Sequence, residues 1–375
     1  MKICYIANIR LPTEKAHGIQ IMKTCEALTE LGHEVTLIIP RRDNPLKGDI
    51  FDYYSIKTRF PVIAIPSLNI LVLGRIGYWI QTLLFSEMAV WKIWKIRPDV
   101  IYARDPIILI NLILVFKNIF FEAHRGDSGF VTRILLKKAR LLAITHGLQN
   151  FYSPFIKNTD RSIVVPDAVD VEKFSINMSK SECRIKLGLP LDKKIALYAG
   201  HLYEWKGAQF LAEASKKFDN NELAVFVGGT ENDIRLFKII NKDNQNMMIV
   251  GHKSHSDIPY YLASADVLVL PNSGKEAISR LYTSPMKLFE YMASGRPIVA
   301  SELPSLCEVL DPETAVLVKP DDADALYQGI KKVFDDESLG SRISDNARKK
   351  VSTMTWVNRA MAITIFIKKS LTRKL

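Results

Sequence analysis

The chain has 375 residues, 48% of them apolar and 24% charged, with a formal net charge of +11. This balance excludes a disordered or low-complexity protein, and the length suits two folded domains better than one. Four scattered cysteines, Cys4, Cys25, Cys183 and Cys307, form no C-x-x-C pair, so they read as core thiols in a reducing compartment and give no case for a disulfide framework.

Charge is unevenly placed. Residues 1–186 hold 26 Lys/Arg against 17 Asp/Glu, whereas residues 187–375 hold 25 against 23. A basic first half favours an acidic partner: anionic lipid, a phosphorylated substrate or nucleic acid. No compact Arg/Lys patch interleaved with aromatics argues for nucleic acid in particular.

Residues 2–8, "KICYIAN", read as an apolar strand and lack the long apolar region of a signal peptide. Helical apolar spacing follows over 18–32, and 33–40 reads as a second strand. In the loop between them, Arg10 and Lys15 either serve an anionic acceptor or are solvated loop charges. Gly18 precedes the first helix, where a phosphate or sugar could approach the backbone closely. Residues 68–97 carry Trp79, Trp91, Trp94 and Tyr78 beside Arg75, Lys92, Lys95 and Arg97. Two readings stay open for this segment: an amphipathic helix lying on an anionic membrane surface, or a core-facing helix with charged flanks. The run 107–116, "IILINLILVF", is broken by Asn111 and is shorter than the roughly 18–20 residues a spanning helix needs.

Short apolar runs recur at 99–103, 119–123, 141–145 and 162–165, with helical material between them. "YARDP" puts Arg104 and Asp105 at one strand end, where a pair can simply hold loops together. His124 directly follows another strand; it either hydrogen-bonds a substrate or is structural. After a composition break the pattern restarts, with strands at 195–200, 223–229, 246–251, 266–271, 296–301 and 314–320. Such alternation predicts two α/β units with mostly parallel sheets, 1–186 and 187–354, and a cleft between the carboxyl ends of their strands. Residues 355–375 form an amphipathic helix with a basic tail that closes the second domain or crosses back to the first.

Two loops carry the sharpest signals. In "YAGHLYEWKG" (198–207) a strand ends at Gly200 and Lys206-Gly207 opens a helix. A lysine in a first turn runs against the helix dipole, which favours a bound anion over a solvent-facing role. In "YTSPMKLFEYMASGRPIVAS" (282–301) Ser284 is a good N-cap and Pro285 a good first helical residue, while Gly295 and Pro297 end the helix. The free amides at such a start make either an anion site or ordinary architecture. No H-E-x-x-H, P-loop, kinase signature or G-x-S-x-G elbow occurs, and His252 and His255 have no convincing carboxylate or thiol partners for a metal.

The ordered segments 16–38, 166–174, 198–207, 264–272 and 284–301 resemble the retaining, nucleotide-sugar-dependent glycosyltransferases of family 4. The likeness covers nearly the whole chain. It implies the GT-B fold, an α/β architecture of two Rossmann-like domains with parallel sheets facing across an interdomain cleft, the first binding acceptor and the second the donor. By the same resemblance Lys206 contacts the donor diphosphate, and Glu290, the second acid of the family's glutamate pair, holds the ribose hydroxyls. Ser284, Met286 and Lys287 match the stretch whose backbone amides approach phosphate. His124 matches a histidine near the transferred sugar, Gly18 the glycine-containing loop after strand one, and Gly251 a position near the base. Two departures stand out. Tyr282 occupies the place of the first glutamate, with Glu276 out of register, and His201 follows Gly200 where the family has a donor-site arginine.

The activity implied is retaining transfer of a sugar from a UDP- or GDP-sugar, without a metal or a permanently bound cofactor. Same-face attack on the donor would be aided by the departing phosphate oxygen. The acceptor implied is a glycan or polyprenyl-diphosphate-linked precursor of an envelope polysaccharide, at the cytoplasmic face of the membrane. Tyr282 and His201 keep open a catalytically degenerate nucleotide-sugar-binding scaffold. A nucleotide-sugar epimerase is the runner-up enzyme.

Overall fold

The computed structural model describes residues 1–67 and 74–372. It divides into two compact units, Met1–Asp167 with Trp356–Leu375, and Ala168–Thr355.

The first unit is built on seven parallel strands: β1 (Lys2–Ile6), β2 (Glu34–Arg41), β3 (Val62–Pro66), β4 (Val100–Ala103), β5 (Ile119–Ala123), β6 (Arg140–Ala143) and β7 (Ser162–Val164). Their order is β3-β2-β1-β4-β5-β6-β7. β4, β5 and β6 are buried at every residue, which is why their sequences run continuously apolar rather than alternating. Glu122 in β5 and Arg140 in β6 are the buried charged residues that break this rule. Because strand order reverses between β1 and β4, right-handed crossovers place helices on opposite faces. The Ala16–Glu30 helix lies on one face with the Trp356–Thr372 helix packed against it. Helices Gly74–Ile96, Pro106–Val115 and Phe130–Leu136 follow one another across the other.

The second unit has six parallel strands: β8 (Lys194–Ala199), β9 (Glu222–Val227), β10 (Met247–Gly251), β11 (Val267–Leu270), β12 (Ile298–Ser301) and β13 (Val316–Val318). They run in the order β10-β9-β8-β11-β12-β13. Alternate residues of β8 feed two cores: Ile195 and Leu197 pack with Leu288, Phe289 and Met292, whereas Ala196 and Tyr198 pack with Leu211, Phe226 and Ile330. The order again reverses, here between β8 and β11. The loops after those two strands therefore diverge at the switch point, where open sheets bind ligands.

Four details differ from the sequence expectation. β3 was not foreseen, because its "VIAI" run is hidden between Pro61 and Pro66; both prolines are tolerated because β3 is an edge strand. The chain passes to the second unit after Asp167 rather than at 186, since the Val171–Phe174 and Lys180–Leu187 helices pack on second-unit helices. Cys307, expected in the core, is exposed, while the other three cysteines are buried. Of the 68–97 segment, residues 68–73 lie outside the described residues, and the helix is described from Gly74 onward.

Candidate functional site

The second unit's switch point is held together by close backbone contacts. After β8, Gly200 has φ 145° and its N–H donates to the Val227 carbonyl at 2.8 Å. A short 3-10 turn, Glu204–Lys206, then leads to Gly207 at φ 73°, which caps the Ala208–Ser215 helix. A Cβ on Gly207 would stand 1.7 Å from the Pro271 carbonyl oxygen, so only glycine lets the loop after β8 touch the loop after β11. The Ser273 N–H donates to the Trp205 carbonyl at 3.1 Å and fastens the same two loops. Lys206 ends the 3-10 turn with its Nζ 3.9 Å from the Trp205 ring centre, and burial pushes its pKa from 10.5 down to about 8.

Beyond β11 the chain makes a π-helical turn, Ile278–Tyr282, and then the Met286–Ala293 helix. Pro285, not Ser284, occupies the N-cap, and a proline offers no side-chain cap there. The expectation of a Ser284 cap is thereby corrected: Pro285 is still extended (φ −75°, ψ 123°), so the helix begins one residue later than its sequence suggests. Ser284 is buried. Tyr291 Oη accepts the Ala199 N–H at 2.7 Å, which registers this helix against β8. Lys287 Nζ lies 4.1 Å from the Tyr198 ring centre and has no hydrogen-bond partner despite its burial. Burial first, and then the Lys206 charge, hold its pKa well below the usual lysine range, with Glu290 partly opposing them. The buried Lys287 nitrogen and the half-buried Lys206 side chain thus stand near a helix start whose N-cap, Pro285, offers no capping side chain. The arrangement suits an anion of more than one charge.

Glu290, one turn further on, is oriented by a relay. Its Oε1 accepts from His255 Nε2 at 3.1 Å, and His255 Nδ1 lies 2.8 Å from Lys173 Nζ. An ammonium can only donate, so Nδ1 accepts and the ring proton sits on Nε2. His255, expected to lack a carboxylate partner, therefore has one. The arrangement leaves Glu290 Oε2 for another donor. His201 stacks on Tyr203 with ring centres 4.9 Å apart and planes 3° apart, and its carbonyl accepts from Tyr198 Oη at 2.5 Å. Gly251, at φ 83°, ends β10, and its carbonyl accepts from the Gly228 N–H at 2.8 Å. Tyr282 closes the π turn, half-buried, and Glu276 is exposed. Asn272 was missed in the sequence: it is fully buried, with neither side-chain polar atom hydrogen-bonded, directly behind Pro271. Its place two residues beyond a buried strand end at the switch point was the only available signal.

In the first unit, Glu122 gathers a set of donors. Its Oε1 accepts from Gln20 Nε2 at 2.5 Å, His124 Nε2 at 2.5 Å and Arg359 Nη2 at 3.0 Å, and its Oε2 accepts from Tyr102 Oη. Burial alone would raise the Glu122 pKa, but Arg359 and His124 outweigh it and hold the carboxyl well below its usual range. Burial and the nearby Arg104 push His124 down to about 4 against the pull of Glu122. The imidazole is therefore neutral near pH 7, donating from Nε2 and keeping Nδ1 as an acceptor. Arg104 donates to Gln20 Oε1 at 2.9 Å, Asp105 caps the Pro106–Val115 helix, and Arg10 pairs with Glu14 at 2.6 Å. Gly18 lies inside the first helical turn, not in the loop before it. A Cβ there would meet Tyr54 Oη at 2.3 Å, so the glycine answers to Tyr54 packing. Among the described residues no three His, Cys, Asp or Glu side chains gather to hold a metal ion.

Lys206, Lys287, Glu290 and the Gly200 backbone thus share one switch point, while His124 and Gly18 belong to the other unit. Comparison with known proteins gives this geometry a family context. Residues 179–350 match the family model described as glycosyl transferases group 1. TuaC of Bacillus subtilis (strain 168), assigned as a teichuronic acid biosynthesis glycosyltransferase, is 24% identical over 94% of each chain. The UDP-Gal:alpha-D-GlcNAc-diphosphoundecaprenol alpha-1,3-galactosyltransferase of Escherichia coli is 28% identical over 50% of this chain and 49% of its own. Among solved structures, sucrose-phosphate synthase from Thermosynechococcus elongatus superposes with a TM-score of 0.81 at 19% identity, covering 99% of each chain. Anabaena HepE in complex with UDP gives 0.78 at 16% identity, over 98% of this chain and all of its own (100%). The fold is that of the GT-B glycosyltransferases.

Proposed function

We propose that this GT-B chain, whose second unit carries the glycosyl transferases group 1 match, is a retaining glycosyltransferase using a nucleotide-diphosphate sugar. The observation that carries this reading is the pair of lysines, Lys206 and Lys287, both held below the usual lysine pKa by desolvation, beside the Pro285-capped start of the Met286–Ala293 helix. As the glycosidic bond breaks, charge develops on the leaving diphosphate. Preorganised donors there stabilise the transition state more than the ground state, by roughly 3–4 kcal/mol for one well-placed group.

Glu290 accepts a ribose hydroxyl on Oε2 and fixes the donor in place. Met286 and Lys287 present backbone amides to the phosphates, and Gly200 and Gly251 allow close backbone approach. His124 Nδ1 is the first unit's proposed acceptor for a sugar hydroxyl. No carboxylate is placed for a double displacement in this reading, since Tyr282 stands where the first glutamate of the family's pair would. Same-face attack, with the departing phosphate oxygen taking the acceptor proton, is therefore preferred. The two ammonium groups supply the countercharge, so the proposed reaction proceeds in the presence of a chelator.

The donor class is UDP- or GDP-sugar. A polyprenyl-diphosphate-linked glycan precursor on the cytoplasmic face of the membrane is the proposed acceptor, supported by the basic first half of the chain and by the kinship with the undecaprenol-linked galactosyltransferase. Incubation with a panel of UDP-, GDP- and ADP-sugars, followed by mass measurement, tests the reading. Acceptor-dependent donor consumption is expected, with Glu290→Ala reducing it roughly a hundredfold. Isomerised donor without a glycoside would indicate an epimerase; binding without turnover would indicate a scaffold.

A further inference from the structure

We propose that the helical layer Gly74–Ile96, Pro106–Val115 and Phe130–Leu136 is a docking platform for an anionic bilayer surface. The claim concerns the first unit alone and deepens the acceptor half of the reading above. Every residue it uses lies outside the donor site.

The Gly74–Ile96 helix buries one side, including Phe85, Ala89 and Ile93, and turns large apolar side chains outward on the other. Ile76, Trp79, Leu83, Met88, Trp91 and Trp94 form that outward stripe, with Trp94 59% exposed. At about 200 Å² per large side chain, these six expose on the order of 600 Å², already the size of the largest apolar patch on an ordinary monomer. The neighbouring helices expose further apolar side chains, Leu114 (77% exposed), Val115 and Phe130 (78% exposed). Helices in a parallel α/β layer run antiparallel to the strands. The platform therefore extends from the edge where the strands end, at Ile76 and Phe130, to the opposite edge at Trp94 and Leu114.

Charge selects the occupant. Residues 74–138 contain ten Lys/Arg against five Asp/Glu. Two of those carboxylates, Glu122 and Asp105, are engaged inside the unit. Glu87, the acid within the stripe, accepts from Asn111 Nδ2 at 2.9 Å. Lys95 Nζ sits 3.6 Å from the Trp91 ring centre and Lys92 Nζ 5.2 Å from it, so cation and indole are held at the same depth. Indole at the acyl boundary with ammonium at the headgroups is the pairing an interfacial helix uses. No described helix is long and apolar enough to cross a membrane, so the contact is one of lying on the surface.

Flotation of the full chain with zwitterionic vesicles, and with vesicles containing anionic phosphatidylglycerol, tests the proposal. The parent should float with the anionic vesicles at least roughly tenfold more strongly, and added salt should weaken the binding. Trp79→Ser/Trp91→Ser/Trp94→Ser should lose flotation while consuming donor with a soluble acceptor as the parent does. Lys92→Gln/Lys95→Gln should lose the anionic preference alone, which keeps the test decisive should the triple variant fold poorly. A parent that stays in solution with both vesicles overturns the proposal, as does a Lys pair variant that keeps the full preference. A dimer by light scattering that dissociates in the triple Trp variant also overturns it, by identifying a second copy as the occupant. Flotation without donor turnover would refute the transferase reading and leave the platform standing.

Discussion

Lys206→Met separates two consequences of a half-buried ammonium that has no carboxylate partner among the described residues. Lowering the Lys206 pKa from 10.5 to about 8 corresponds, at ~1.4 kcal/mol per pKa unit, to about 3 kcal/mol against the charged form. Discounting for the partial solvent contact of the side chain, removing the charge should stabilise the nucleotide-free chain by about 1–3 kcal/mol at pH 7. In a unit of this size that is a melting increase of roughly 3–9 °C. The folded pKa lies below the unfolded one, so between about pH 8 and 10.5 the unfolded chain binds a proton that the native chain does not. The penalty is thus complete below pH 8, and the advantage of the variant should disappear above pH 10.5. The same substitution removes a charge-assisted contact to diphosphate, and nucleoside diphosphate affinity should fall by roughly a hundredfold. Thermal unfolding at pH 7 and pH 10, with calorimetric titration of UDP or GDP, measures both effects. A variant that is less stable than the parent and binds nucleotide equally well would refute the reasoning.

Two further substitutions probe the supporting groups. His255→Ala should raise the donor KM by roughly tenfold, with a smaller change in kcat, because Glu290 loses the hydrogen bond that orients it. His255→Gln, which can still donate to Glu290, should recover much of that loss, and equal KM values for parent and Ala variant would remove His255 as a positioning residue. Arg359→Met should destabilise the first unit by about 3–5 kcal/mol, since Glu122 would keep a buried charge without its cationic partner. The double variant Glu122→Gln/Arg359→Met should regain most of that stability in denaturant titration, and no recovery would show that the pair is not coupled as described.

Local signals made much of the fold legible. β4 and β11 are continuous apolar runs, and β5 and β8 are so but for Glu122 and Lys194, because both faces of their sheets are covered, and the restart near 195 follows from the second sheet having its own core. β3 escaped because flanking prolines mask an edge strand. The 186 boundary failed because the two short helices before β8 pack by tertiary contact, which periodicity cannot report. Within the candidate site, Lys206 was singled out as a first-turn cation, whereas it ends the 3-10 turn before the Gly207 cap, and Glu290 was singled out through its family motif. The Lys287 ammonium was not legible: helical phase alone does not reveal that it reaches under Tyr198 to the end of β8. His255 and Lys173 reach Glu290 from separate loops, and Arg359 meets Glu122 across 237 positions, so no spacing rule could join them. Gly18 looked like a ligand-approach glycine because the Tyr54 hydroxyl that excludes a Cβ lies far along the chain.

The most direct test is a crystal structure of the chain bound to a nucleotide sugar that it consumes. Diphosphate oxygens should lie within about 3 Å of Lys206 Nζ, Lys287 Nζ and the first amides of the Met286–Ala293 helix, with a ribose hydroxyl donating to Glu290 Oε2. A diphosphate seated elsewhere, with both ammonium groups still lacking an anionic partner, would contradict the account.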